Sequence, residues 1–265
     1  MYSATQLAHK YLRYYLSASN GKGHGIHSPF VFEFIKFVLN DKKPYPCYIE
    51  IERLRERLLK DRSVIEVEDF GAGSSVIKSS KRVLKDMAAS SLKPKKYAQL
   101  LYRMAQKYQP VNMVELGTSF GITTAYLATG NPAAKIYTLE GSASIASIAK
   151  NNFTSLGIKN IELVPGDFND TLPAVLTGLK TVDFAFVDGN HRKAPTLQYL
   201  QQLAAMANEN AIFVFDDIHW SAEMEEAWQK IKAHPAITLT IDLFFIGIVL
   251  FKKDFKAKQH FVIRF

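Results

Sequence analysis

The rhythm of apolar positions changes near residue 95. Ahead of that point the spacing is helical, with irregular interruptions. Leu7, Tyr11, Tyr14 and Tyr15 recur at helical intervals, which predicts a helix over residues 4–16. A glycine-rich break follows at residues 21–25, and Ser28 with Pro29 reads as the N-cap and first-turn proline of a helix over residues 30–39. Pro44 and Pro46 close that region, and residues 49–60 read as a charged amphipathic helix.

Beyond residue 95 strands and helices alternate. A helix is expected over about 97–108, and strand-like runs at 112–116, 135–139, 161–164, 183–187 and 211–215. Helical runs such as 144–156 and 195–208 separate them. That alternation builds a parallel sheet with right-handed crossovers. The last two runs, 237–243 and 246–251, have almost nothing between them, so they must pair antiparallel. The expected fold class is α/β: a Rossmann-like, doubly wound sheet of seven strands with an antiparallel C-terminal hairpin, preceded by a mainly helical region. The expected division is an accessory or lid region at 1–95, a core at 96–255 and a tail at 256–265.

Composition narrows the picture. Of 265 residues, 48% are hydrophobic, ordinary for a globular chain. The longest uncharged apolar stretch, residues 243–251, is too short to span a bilayer, so no membrane partner is expected. The opening residues lack the pattern of a signal peptide, and Cys47 is the single cysteine. Both fit a cytoplasmic location and rule out an internal disulfide. The formal net charge is +8, but the lysines gather loosely at 78–96 and 252–258 without interleaved aromatics. This reads as solubilising charge, with nucleic acid as a second candidate.

Two glycine motifs compete for a nucleotide. Asp69-Phe70-Gly71-Ala72-Gly73-Ser74 has the denser glycines, but residues 64–68 before it are too charged for a central parallel strand, and a polar helix follows with no second strand. Glu115-Leu116-Gly117-Thr118-Ser119-Phe120-Gly121 has a buried-type strand before it and a helix after it. Glu140 stands at the end of the next strand, where such folds place the acid that accepts hydrogen bonds from ribose hydroxyls. Gly117 and Gly121 allow backbone to lie against a ligand.

Together with Thr138 to Glu140, Gly166-Asp167-Phe168 and Phe186-Val187-Asp188-Gly189-Asn190-His191, this loop resembles the successive motifs of class I S-adenosylmethionine-dependent methyltransferases. The closest resemblance is to the catechol and caffeoyl-CoA type of small-molecule O-methyltransferases and their bacterial relatives, over residues 97–252. The resemblance implies S-adenosyl-L-methionine as cofactor. Its methionine end would be lined by Glu115, Gly117, Thr118, Ser119 and Gly121, its ribose held by Glu140 and Gly141, and its adenine bordered by Asp167 and Phe168. Asp188 is a further expected cofactor contact. Ser119 stands where many class I loops carry glycine, a change the catechol-type loop shares.

Asp188 ends the fourth strand of the alternating series and Asp216 with Asp217 ends the fifth. Carboxylates that converge repel unless neutralised, so Mg2+ or another divalent cation held by Asp188, Asp216 and Asp217 is one expectation. Helix capping and turn formation by the same residues is the alternative. The resemblance implies an acid, an acid and an amide here, and Asp217 departs from the amide. His191 lies where catechol-type enzymes place a lysine base, and its ordinary pKa suits that task. His219 is a second candidate base, beside Trp220. The histidines of Gly23-His24-Gly25-Ile26-His27-Ser28-Pro29-Phe30 suggest a lid over the acceptor, shared with the Asp69 to Ser74 loop.

The leading reading is methyl transfer to an oxygen of a small-molecule acceptor, and a homodimer is compatible with it. An RNA methyltransferase is an alternative, although residues 187–190 do not form the Asn/Asp-Pro-Pro-aromatic motif of amino-group nucleic-acid methylases. A non-catalytic S-adenosylmethionine-binding protein is the other.

Overall fold

The computed structural model describes residues 1–69, 78–255 and 257–265. The glycine loop that follows Asp69 lies outside the described residues, so its expected part in a lid is not placed. By contact density the chain divides into two compact units, residues 1–41 with 180–265, and residues 42–179. The strands beyond residue 111 belong to a mixed sheet of eight.

In the first unit, α1 (Ala4–Ser17) opens with a capping box in which Ser3 and Gln6 exchange side-chain and backbone bonds. α2 (Pro29–Phe34) has the expected first-turn proline, but the Ser28 side chain makes no cap bond. The helix then widens into a π-turn over Ile35–Leu39.

The second unit begins with α3 (Cys47–Lys60), β1 (Val64–Asp69), β2 (Lys78–Val83), α4 (Leu84–Ser91) and α5 (Lys95–Tyr108). β1 and β2 form a separate antiparallel pair. The charged run before Asp69 therefore stays out of the main sheet, as its composition requires. β2 corrects the sequence reading, which placed only a polar helix there. Three βα repeats follow: β3 (Asn112–Leu116), α6 (Ile122–Gly130), β4 (Lys135–Glu140), α7 (Ala143–Ser155), β5 (Ile161–Pro165) and α8 (Phe168–Thr177). β3, β4 and β5 are parallel neighbours in that order. Phe120, Ile122, Ala125 and Tyr126 belong to one core with Ile51, Leu54, Leu58 and Tyr102. Burial of these apolar faces, rather than helix propensity, holds α3, α5 and α6 together.

The first unit resumes with β6 (Val182–Val187), α9 (Lys193–Ala205), β7 (Ala207–Asp216), α10 (Ala222–Ala233), β8 (Leu239–Asp242), β9 (Ile246–Leu250) and β10 (Gln259–Val262). β6 pairs parallel with β7, β7 antiparallel with β9, and β9 antiparallel with β8, which is the expected hairpin. Two corrections apply. Helix α9 stops at Ala205, and residues read as helix up to 208 already belong to β7. The segment read as a tail supplies β10, parallel to β8, which makes eight strands rather than seven.

α1 packs on this sheet through aromatic rings. Tyr11 and Tyr14 lie 5.1 and 5.3 Å from the Phe244 ring. The Tyr14 hydroxyl donates to the carbonyl of Ile263, and Ser19 bridges to the same residue. Among the described residues no helix is long and apolar enough to cross a membrane.

Candidate active site

The loop after β3 is folded back onto the end of β4. The Gly117 and Thr118 amides donate to the Leu139 carbonyl at 2.9 and 3.1 Å, and the Gly121 amide donates to Thr118 at 2.9 Å. The Ser119 amide donates to Glu140 Oε2 at 2.8 Å, while the Ser142 amide donates to Oε1 at 3.0 Å. Glu140 is therefore the fixed point of the loop. Burial raises its pKa, and the amides of Ser142, Ser119 and Gly141 pull it back in part.

Ser119 sits at φ 49°, between Gly117 at 100° and Gly121 at 81°. The left-handed conformation explains why glycine suits this position in other loops. Gly121 is constrained twice, because a Cβ there would collide with the Phe153 ring.

Glu115 is completely buried. Its Oε2 accepts from Thr124 Oγ1 at 2.5 Å and Thr138 Oγ1 at 2.6 Å. It thus supports the loop from beneath and has no surface with which to line a ligand. Beyond β5, Gly166 takes φ 135°. Asp167 caps α8 by accepting from the Asn169 amide at 2.7 Å, and Phe168 is half-buried at the first helical position. The loop, Glu140, Gly141, Asp167 and Phe168 all belong to the unit of residues 42–179.

The second group of candidates lies in the other unit. Asp188 follows β6 and Asp216 ends β7, so the parallel pairing of these strands brings their carboxyl ends together. Asp188, His191 and Asp216 each offer a donor atom, all within 4.8 Å of one another. Asp217, the third expected ligand, follows at φ 54°. It faces the histidine, with Oδ2 3.8 Å from His191 Nδ1, while Asp188 Oδ1 lies 3.7 Å from Nε2. His191 is one-third exposed. Two carboxylates and an imidazole fit a divalent cation that accepts mixed oxygen and nitrogen donors.

His219 is placed differently from its expected catalytic role. Nε2 is 2.8 Å from Asp242 Oδ2 and Nδ1 is 3.0 Å from Glu225 Oε1, so both ring nitrogens are engaged. Burial acts to lower its pKa, but its bonds to Asp242 and Glu225 outweigh that and raise it. Held between two acids through both ring nitrogens, the imidazole ties α10 to β8. The lid candidates His24, between Gly23 at φ 85° and Gly25 at φ 78°, and His27 are exposed.

Residues 114–218 match the family described as a methyltransferase domain. That stretch of the chain resembles a methyltransferase domain. Over 137 residues it is 30% identical to a catechol O-methyltransferase of Niastella koreensis, covering 50% of this chain and 60% of that protein. Over 146 residues it is 27% identical to the O-methyltransferase imqG of Aspergillus flavus, covering 53% and 57%. The chain thus spans about three fifths of the length of these curated relatives. Among solved structures, the S-adenosylhomocysteine-bound methyltransferase PaMTH1 of Podospora anserina superposes with a TM-score of 0.59 over 96% of this chain and 98% of that one, at 13% identity. That likeness concerns the fold. These matches bear out the class I resemblance read from the loop and strand-end motifs.

Proposed function

We propose that the protein transfers a methyl group from S-adenosylmethionine to an oxygen of a small molecule. The observation that carries this reading is the Glu115 to Gly121 loop closed onto Glu140, with three consecutive positions of matched motif character at Gly166, Asp167 and Phe168. In this reading the backbone of Gly117 to Gly121 cradles the methionine end of the cofactor. Glu140, with Gly141, holds the ribose, and Asp167 with Phe168 borders the adenine. The names of the curated relatives, both O-methyltransferases, favour oxygen as the acceptor atom.

Transfer is an in-line displacement. The acceptor oxygen forms a bond to the methyl carbon as the carbon–sulfur bond breaks, and neutral S-adenosylhomocysteine leaves. The acceptor hydroxyl must lose its proton, and His191 takes it. Asp188 and Asp217 on either side stabilise the imidazolium that results. A divalent cation would be held by Asp188 and Asp216 with His191 beside them, and when bound it would lower the pKa of the acceptor hydroxyl. Fixing the nucleophile and methyl in line supplies much of the rate, since correct orientation removes entropy from the barrier.

The test is a panel of phenols, catechols and other hydroxylated small molecules incubated with cofactor labelled at the methyl. Labelled ether product from at least one class supports the reading. Cofactor binding with no transfer to any hydroxyl, or labelled nitrogen or sulfur products alone, overturns it.

A further inference from the structure

A carboxyl group with no accessible surface needs either a counter-cation or a proton. Glu115 is wholly buried, and only hydroxyls meet it: Thr124 from the first turn of α6 and Thr138 from β4. Its other oxygen, Oε1, is buried without a hydrogen-bond partner among the described residues. The charged group whose field reaches it is Glu140, of the same sign. Thr138 Oγ1 also lies 2.6 Å from Thr118 Oγ1 in the loop.

We propose that Glu115 is held as a neutral carboxylic acid and acts as a positioning residue for the cofactor loop, tying α6, β4 and Thr118 together through a chain of hydroxyls whose donor order its ionisation reverses. The unpartnered Oε1 supports the neutral form. With a proton on Oε2, the Thr138 hydroxyl, which donates to that oxygen when it is ionised, accepts from it and donates onward to Thr118, while Thr124 donates to Oε2. Oε1 is then an uncharged carbonyl. In the ionised form a full charge spreads onto Oε1, where no donor meets it. Burial, the largest influence, pushes the pKa up to about 7, while the two threonine bonds pull it down. The loop would thus lose its order on the alkaline side of neutrality.

The role in binding rests on the cofactor reading above, and the experiment separates the two. S-adenosylhomocysteine affinity is measured from about pH 6 to about pH 9 for the whole chain and for Glu115→Gln, whose amide can reproduce the donor to Thr138. The wild type is expected to lose affinity roughly tenfold per pH unit once above its transition, and the variant to bind with little pH dependence. Glu115→Asp, too short to reach both threonines, is expected to bind weakly throughout. In parallel, the infrared carbonyl band of a protonated acid is compared between wild type and Glu115→Gln near neutral pH, and thermal unfolding is followed against pH. Because the folded-state pKa is raised, wild-type stability should fall relative to the glutamine variant as pH rises from about 4.5 to about 7, then level off. Matching pH profiles, or no protonated-acid band, would overturn the proposal. If neither protein binds the nucleoside at any pH, the cofactor reading fails, while the infrared and unfolding comparisons still decide the state of Glu115.

Discussion

Nε2 of His219 lies 2.8 Å from Oδ2 of Asp242, twenty-three residues further along the chain. The same oxygen accepts from the Trp228 indole at 3.0 Å, and the Asp242 Oδ1 atom accepts from the Phe244 amide at 2.8 Å. His219 also stacks on the Phe244 ring at 5.1 Å. These contacts make the histidine a hub between β8, α10 and the aromatic seat of α1. Replacing it with alanine removes the imidazole partner of Asp242, while Glu225 keeps Lys10. The expected loss is about 3 kcal/mol of stability, with catalytic turnover of the folded fraction nearly unchanged. Denaturant unfolding together with active-site-normalised kcat distinguishes this from a catalytic role, in which stability would hold and turnover would collapse.

His191 should show the opposite pattern. Its carboxylate neighbours Asp188 and Asp217 stand 3.7 and 3.8 Å away, farther than those of His219. His191→Ala is expected to cost a factor of roughly 10² to 10⁴ in kcat, the usual worth of a positioned base. Affinity for S-adenosylhomocysteine should change little. Acceptors with acidic hydroxyls should lose least, because they need the base least.

The same cluster sets the metal dependence. Chelation followed by gel filtration is expected to reduce activity, and a divalent cation to restore it. With Asp188 and Asp216 as oxygen donors and His191 kept as the base, magnesium should be at least as effective as a transition cation. Unchanged turnover after chelation would leave His191 and its flanking acids as the sole means of removing the proton.

Glu225 joins α10 to the chain's beginning. It accepts from both Lys10 at 3.0 Å and Tyr2 at 2.8 Å, besides meeting His219. Burial acts to raise its pKa, but the bonds from Lys10, Tyr2 and His219 lower it below the ordinary value of 4.5. A depressed carboxyl contributes stability above its unfolded pKa and loses it as pH falls through the folded one. Glu225→Gln should therefore be less stable than wild type near neutrality, by about 1 kcal/mol for a partly exposed network. The difference should shrink as pH falls below 4.5 and through the lowered folded-state value, which thermal melts at a series of pH values would measure.

Legibility in the sequence followed the range of the forces involved. β3 could be placed to the residue at Asn112–Leu116 because continuous burial writes itself as an apolar run. β2, of sequence KSSKRV, carries no such signature, since it pairs only with β1 outside the main sheet. β10 is a four-residue edge strand with every second residue exposed, and its alternation is too short to read. The juxtaposition of Asp188 and Asp216 could be read because strand ends converge in a parallel sheet. The engagement of His219 by Asp242 and the threonine shell of Glu115 were not, because nothing in local spacing reports a contact made by tertiary packing. For His191, the signal that it could join the donor set was present in its place three residues after Asp188.

Gly121 tests the loop itself. Its φ of 81° is unfavourable for any side chain, and a Cβ would run into the Phe153 ring, which is buried at 5% exposure. Phe153 lies on α7, so the ring cannot withdraw without disturbing the helix that follows Glu140. Gly121→Ala is therefore expected to destabilise the chain by roughly 2 to 4 kcal/mol, from backbone strain and overpacking together. A paired variant, Gly121→Ala with Phe153→Leu, removes the clash but keeps the strain. If the two contributions are as argued, the pair should recover about half of the lost stability. Binding of S-adenosylhomocysteine to the folded pair should remain weaker than to wild type, because the loop would still carry a side chain where backbone meets ligand. Full recovery of both stability and affinity would mean that the left-handed turn at Gly121 is not what shapes the cradle.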